Sequence, residues 1–158
     1  MSTRFRRSLG FLFVFASAAS FAADVQAQDI QQFKLSATGQ VVSQAPCSPT
    51  QLCQSAIVSG KATRFGAFTG QLDEVIDITT GTYTGTGTFA TTRGDTLSTT
   101  YVGRVSQPDS SGGVKFVEAH QVTGGTGQFA GATGQLLISG RADAAGRLTI
   151  DGLGALVR

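Results

Sequence analysis

Gly124-Gly125-Thr126-Gly127-Gln128-Phe129-Ala130-Gly131-Ala132-Thr133-Gly134 sets five glycines around one phenylalanine, between two runs that alternate apolar and polar residues. Glycine lacks the Cβ that forbids positive φ, so this spacing predicts a turn followed by a bulged strand, with Phe129 capping a core at the bend. Outward from this point the alternation continues in both directions. Strand-length runs lie near 33–43, 55–63, 67–79, 82–92, 95–106, 114–123, 131–142 and 146–157, and no helical period competes with them. Arg93-Gly94-Asp95 and Ala144-Ala145-Gly146 suit tight hairpins, and Gln107 to Gly113 suits a longer, mobile loop. Arg-Gly-Asp also spells an adhesion tripeptide, but three residues on a hairpin carry no such inference. In Gly81 to Phe89, Thr84, Thr86 and Thr88 face one side and Tyr83, Gly85, Gly87 and Phe89 the other. Eight antiparallel strands with one wet face are best satisfied by closure, because a closed barrel has no unpaired edges. The expected fold is therefore all-β, an eight-stranded antiparallel closed barrel.

A weak repeat supports that regularity. Phe65 to Leu72 aligns with Phe129 to Leu136, and Thr-Gly-Gln recurs at 38–40, 69–71 and 133–135. The alternation assigns Phe33, Leu35, Leu72, Ile76, Ile78, Tyr83, Phe89, Leu97, Tyr101, Val105, Phe116, Val122, Leu136, Ile138, Leu148, Ile150 and Leu156 to the interior. Three ionisable residues share that face. Glu74 is in phase with Leu72 and Ile76, and Glu118 and His120 are in phase with Phe116 and Val122, whereas Asp73 and Asp77 fall on the wet face. Buried charges must pair, reach water or shift their pKa, so Glu118 and His120, with Glu74, are the candidate acid–base groups. Phe116, Tyr83 and Tyr101 are the candidate ligand contacts. No nucleophile motif accompanies His120, and no helix follows Gly125-Thr126-Gly127 to hold a phosphate.

The glycine string resembles the GGTGxFxGAxG motif of the allene oxide cyclase-like barrels and the plant dirigent proteins, in particular the bacterial secreted members of that group. The resemblance runs mainly from Phe116 through Ile138. It implies an eight-stranded barrel, often trimeric in plants, whose cavity takes an allene oxide in the cyclases and phenoxy radicals in the dirigent proteins; a homo-oligomer is accordingly an open expectation. The motif carries over onto Gly124, Gly125, Gly127, Phe129, Gly131 and Gly134, all as structural positions. The cyclase pocket is associated with a Glu and an Asn-held water, and this chain has no Asn. That departure counts against cyclase activity, and it also removes every N-glycosylation acceptor.

Residues 1–27 read as an export signal. Arg4, Arg6 and Arg7 precede an apolar run from Leu9 to Phe21, and Val25-Gln26-Ala27 has the small-residue form of a cleavage site, with the cut before Gln28. The run is shorter than the ~20 residues of a membrane span. Gln28, not a cysteine, stands directly after the cut, so no lipid attachment and no membrane anchor are expected in the mature form. Residues 28–158 then form one domain with nine basic and nine acidic residues. A mature net charge of zero gives no reason to expect nucleic acid. Cys47 and Cys53, in an exported chain, are expected to form a disulfide across a small loop, in the periplasm or outside the cell. Two Cys and one His are too few for a structural zinc site, and no cofactor is expected. The sequence reads as an exported barrel that binds a small hydrophobic molecule without catalysis. A cofactor-free isomerase or cyclase is the first alternative. An outer-membrane barrel is the second, opposed by a wet face rich in Thr, Ser, Gln, Lys and Arg.

Overall fold

A computed structural model describes residues 29–158; the expected export signal and its cut lie outside the described residues. The chain forms β1 (Ile30–Ser48), β2 (Gln51–Ala62), β3 (Gly66–Asp77), β4 (Thr82–Thr91), β5 (Thr96–Val105), β6 (Val114–Gly125), a 3₁₀ turn (Gly127–Phe129), β7 (Thr133–Ala142) and β8 (Arg147–Val157). Each strand pairs antiparallel with the next, and β1 pairs with β8 from Ile30↔Val157 to Gln40↔Arg147, so the barrel closes in sequence order. One end of the barrel carries the β2–β3, β4–β5 and β6–β7 connections, and the other carries β1–β2, β3–β4, β5–β6 and β7–β8.

Alternation fixes what faces inward. Phe33, Leu72, Tyr83, Leu97, Tyr101, Val122, Leu136, Ile138, Leu148, Ile150 and Leu156 are buried as expected, while Thr84, Thr86 and Thr88 are exposed on β4. Ile78 is the exception: β3 ends at Asp77, so Ile78 sits in the turn and is 61% exposed. On the outer face, Val102, Ala119, Leu137 and Leu153 are successive cross-strand partners and form an exposed apolar row.

The glycines on the inner face answer a packing demand. Phe33 lies opposite Gly154, Phe89 opposite Gly70, Tyr101 opposite Gly85, Tyr83 opposite Gly103 and Phe116 opposite Gly140. At each of these glycines a Cβ would land on the facing ring. The large rings therefore lie flat across the neighbouring strand, which narrows the barrel without crowding it; cross-strand pairing of aromatics with glycine is a known sheet-stabilising device.

The glycine string makes the expected bend, but in a different order. The bulge is on β6, before the turn, where Ser98 pairs with Gly124 and Thr99 with Val122. Phe129 is buried at the end of the barrel and meets Phe65 edge-to-face at 5.1 Å, and Phe65 meets Phe33 at 5.0 Å. The two copies of the repeat thus place their phenylalanines together. Two connections also differ from expectation. Around the cysteines there is no loop but an arm, since β1 and β2 stay paired to Ser48↔Gln51, past the last β1–β8 pair, and the Cys47–Cys53 disulfide joins the two strands of that arm. The 107–113 loop is tied down by Asp109, which accepts from the backbone N–H of Ser111 and of Gly113 and pairs with Arg141 at 2.6 Å.

Candidate functional site

Two rows of cross-strand partners build the polar interior. Glu74, Gly85, Tyr101 and His120 are successive partners across β3 to β6; Ile76, Tyr83, Gly103 and Glu118 form the next row. Because Gly85 and Gly103 have no side chain, each tyrosine crosses one strand and reaches a carboxylate. Tyr101 Oη donates to Glu74 Oε2 at 3.1 Å, and Tyr83 Oη donates to Glu118 Oε1 at 2.9 Å. Gln54 Nε2 donates to the other oxygen of Glu74 at 2.5 Å.

Glu118 and His120 point the same way from β6, as alternation requires, and meet: His120 Nε2 lies 2.8 Å from Glu118 Oε2, with side-chain exposures of 0% and 5%. His120 Nδ1 is 3.0 Å from Thr99 Oγ1, and the imidazole stacks on the Tyr101 ring at 4.3 Å. A proton on Nε2 donates to Glu118, leaving Nδ1 to accept from the Thr99 hydroxyl, and this tautomer satisfies every atom of the chain. Among the described residues no buried side-chain nitrogen or oxygen lacks a partner. The candidate acid–base residues therefore fall into two hydrogen-bonded groups, Glu118 with His120, Tyr83 and Thr99, and Glu74 with Tyr101 and Gln54, joined where the Tyr101 ring stacks on His120.

Burial governs the electrostatics here. Glu74 is pushed up from 4.5 to about 7, first by loss of water and then by the nearby Glu118 charge, against the lowering effect of Tyr101 and Gln54. The Tyr83 and Tyr101 phenols are pushed far up, again first by burial and then by the carboxylates. Both phenols are thus fixed as donors. Among the described residues no group of three or more His, Cys, Asp or Glu is placed to hold a metal ion.

A cavity of about 50 Å³ occupies the end of the barrel nearest Phe129. Phe33, Phe65, Phe68, Phe89 and Phe129 ring it, Leu72, Leu97, Leu136 and Ile138 fill in between them, and Glu118 is the one charged residue in its wall. Of the sequence candidates only Glu118 reaches it. Phe116 faces inward but lies over Gly140 toward the other end, and Tyr83, Tyr101, His120 and Glu74 sit behind the wall. The sequence does not mark Thr99, Gln54 or Phe65 as site residues, because Thr99 and Gln54 acquire their roles through cross-strand register and Phe65 lies in a turn. The aligned repeat, which matches Phe65 with Phe129, was the available clue.

The architecture is that of a small closed β-barrel with a polar cluster behind an apolar cavity. The chain matches no protein-family model, and neither the comparison with curated proteins nor that with solved structures finds a match.

Proposed function

We propose that the protein is an exported barrel that binds a small, mostly apolar molecule at the phenylalanine-lined end, with the ligand's polar group directed to Glu118. The observation that carries this reading is the cavity, whose wall is apolar apart from Glu118 and Thr91. Its volume bounds the guest. At about 50 Å³ it is a third of the roughly 150 Å³ that accommodates benzene. A larger molecule must lodge in the mouth and move the half-buried Phe65 or Phe68. The Cys47–Cys53 disulfide fits an oxidising compartment, periplasmic or extracellular. An outer-membrane barrel is disfavoured by polarity, since Lys34, Lys61, Asp73, Arg104 and Asp151 are exposed on the outer face and interrupt its apolar residues.

The resemblance to the allene oxide cyclase-like group supports a ligand in the barrel. A cofactor-free isomerase is the second reading, and it is favoured by one contact: Glu118 both lines the cavity and holds hydrogen bonds from Tyr83 and His120. In that reading Glu118 moves the proton, and His120 and Tyr83 hold it in place.

Titration with benzene and with n-hexanol, followed by NMR shifts of the Leu136 and Ile138 methyl groups, tests the binding reading. Saturable shifts are expected in the wild type, and their loss in Thr91→Trp, whose ring fills the mouth. Absence of shifts with both probes would overturn the reading. Undiminished binding in a folded Thr91→Trp protein would move the site elsewhere.

A further inference from the structure

We infer that the ligand of this pocket carries an amine, so that the barrel selects lipophilic organic cations against fatty acids and other anions. The inference rests on the reading of the Phe129 end as a ligand site and names what that site selects. It begins with the sign of the interior. Every Lys and Arg among the described residues is exposed, on the outer face or in a connection, whereas the inward ionisable groups are two carboxylates, two phenols and one imidazole. An anion entering the cavity would give up its water beside Glu118 with no fixed positive charge in the wall to replace it.

Glu118 is equipped for the opposite sign. A carboxylate has about four acceptor positions. One contact from Tyr83 at 2.9 Å and one from His120 at 2.8 Å occupy two of them. Glu118 still contributes to the cavity wall, so an ammonium at the floor meets a charged acceptor already held in place. His120 sits behind the carboxylate, not in the cavity wall, and does not contest that position.

The rings supply the second half of the selectivity. Phe33, Phe65 and Phe129 pack edge-to-face in series, and Phe68 and Phe89 meet at 6.0 Å and 83°. Edge-to-face packing leaves ring faces turned in several directions around the cavity. Aromatic faces attract a cation within about 6 Å through the ring quadrupole, and repel an anion. A neutral alcohol can use the hydrogen bond to Glu118 but gains nothing from the cage beyond its apolar contact. Carboxylate and cage act together only on a cation.

The test holds the tail constant and varies the head: n-hexylamine, n-hexanol and hexanoate are titrated against the mature exported protein at pH 7.5. Hexylamine is expected to bind about tenfold more tightly than hexanol, and hexanoate at least tenfold more weakly. Glu118→Gln should bring hexylamine to within about threefold of hexanol. Phe68→Leu, at the rim, should reduce the amine's advantage without abolishing hexanol binding, and this arm stands if Glu118→Gln fails to fold. Equal binding of amine and alcohol, or tightest binding of hexanoate, would overturn the inference while leaving the ligand-site reading intact. No binding by any of the three would remove the ligand site itself.

Discussion

Glu74 shows how one half-buried side chain couples the interior to pH. Its carboxyl is raised to about 7 in the folded barrel, against an ordinary value of 4.5, so the native state holds a proton that the unfolded chain releases between those values. Stability from this residue is complete below pH 4.5, falls as pH rises toward 7, and is flat above it; the full loss is on the order of 3 kcal/mol. Glu74→Gln keeps the donor–acceptor shape without the charge. Urea midpoints measured from pH 4.5 to 8 should therefore decline more steeply in the wild type than in Glu74→Gln, with the variant the more stable at pH 8. Parallel curves would mean that Glu74 is solvated, contrary to its position. The inward direction of Glu74 was legible from Leu72 and Ile76 on either side. Its partners Tyr101 and Gln54 were not, because they come from strands whose register the alternation leaves undetermined.

At the scale of elements, the glycine string combines two different demands. Gly131 has φ +71° with open space where a Cβ would be, while Gly134 has φ +147° and a Cβ there would strike the Ala155 carbonyl. Asn tolerates the left-handed region that Gly131 occupies, but no side chain fits the close approach of β7 to β8 at Gly134. Gly131→Asn should accordingly cost no more than about 1 kcal/mol, and Gly134→Asn several times as much, by loss of soluble protein or a lower urea midpoint. Equal losses would mean that backbone conformation alone, not crowding, explains the string. The sequence located the bend and the role of Phe129, yet misplaced the bulge, since one extra residue near Thr123 flips no visible pattern before the turn. The cysteine arm has the sequence of a loop for a related reason. Pro46 and the paired cysteines look like turn chemistry, but past Gln40 strand β1 has only β2 beside it, and proline is tolerated at such an edge.

Closure is the property of the whole molecule that the alternation implied without specifying. Eight wet-faced strands called for it, and the β1–β8 ladder provides it, running from Ile30↔Val157 to Gln40↔Arg147. Removing Gly152–Arg158 would take away the partners of Ile30 to Leu35 on one side and of Thr133 to Ile138 on the other. Two long strands would then present free N–H and C=O groups, and Phe33, Leu136 and Leu156's former neighbours would lose their cover. Exposed edges of this length template pairing with other chains. The truncated protein should elute earlier than the wild type in size-exclusion chromatography and bind thioflavin T, whereas the wild type treated with reductant should do neither, because the disulfide lies in the arm beyond the closing ladder. A truncated protein that kept the wild-type elution volume, with wild-type far-UV circular dichroism and hydrogen-exchange protection across β1, would show that seven strands suffice and that the eighth is not what keeps the barrel from aggregating.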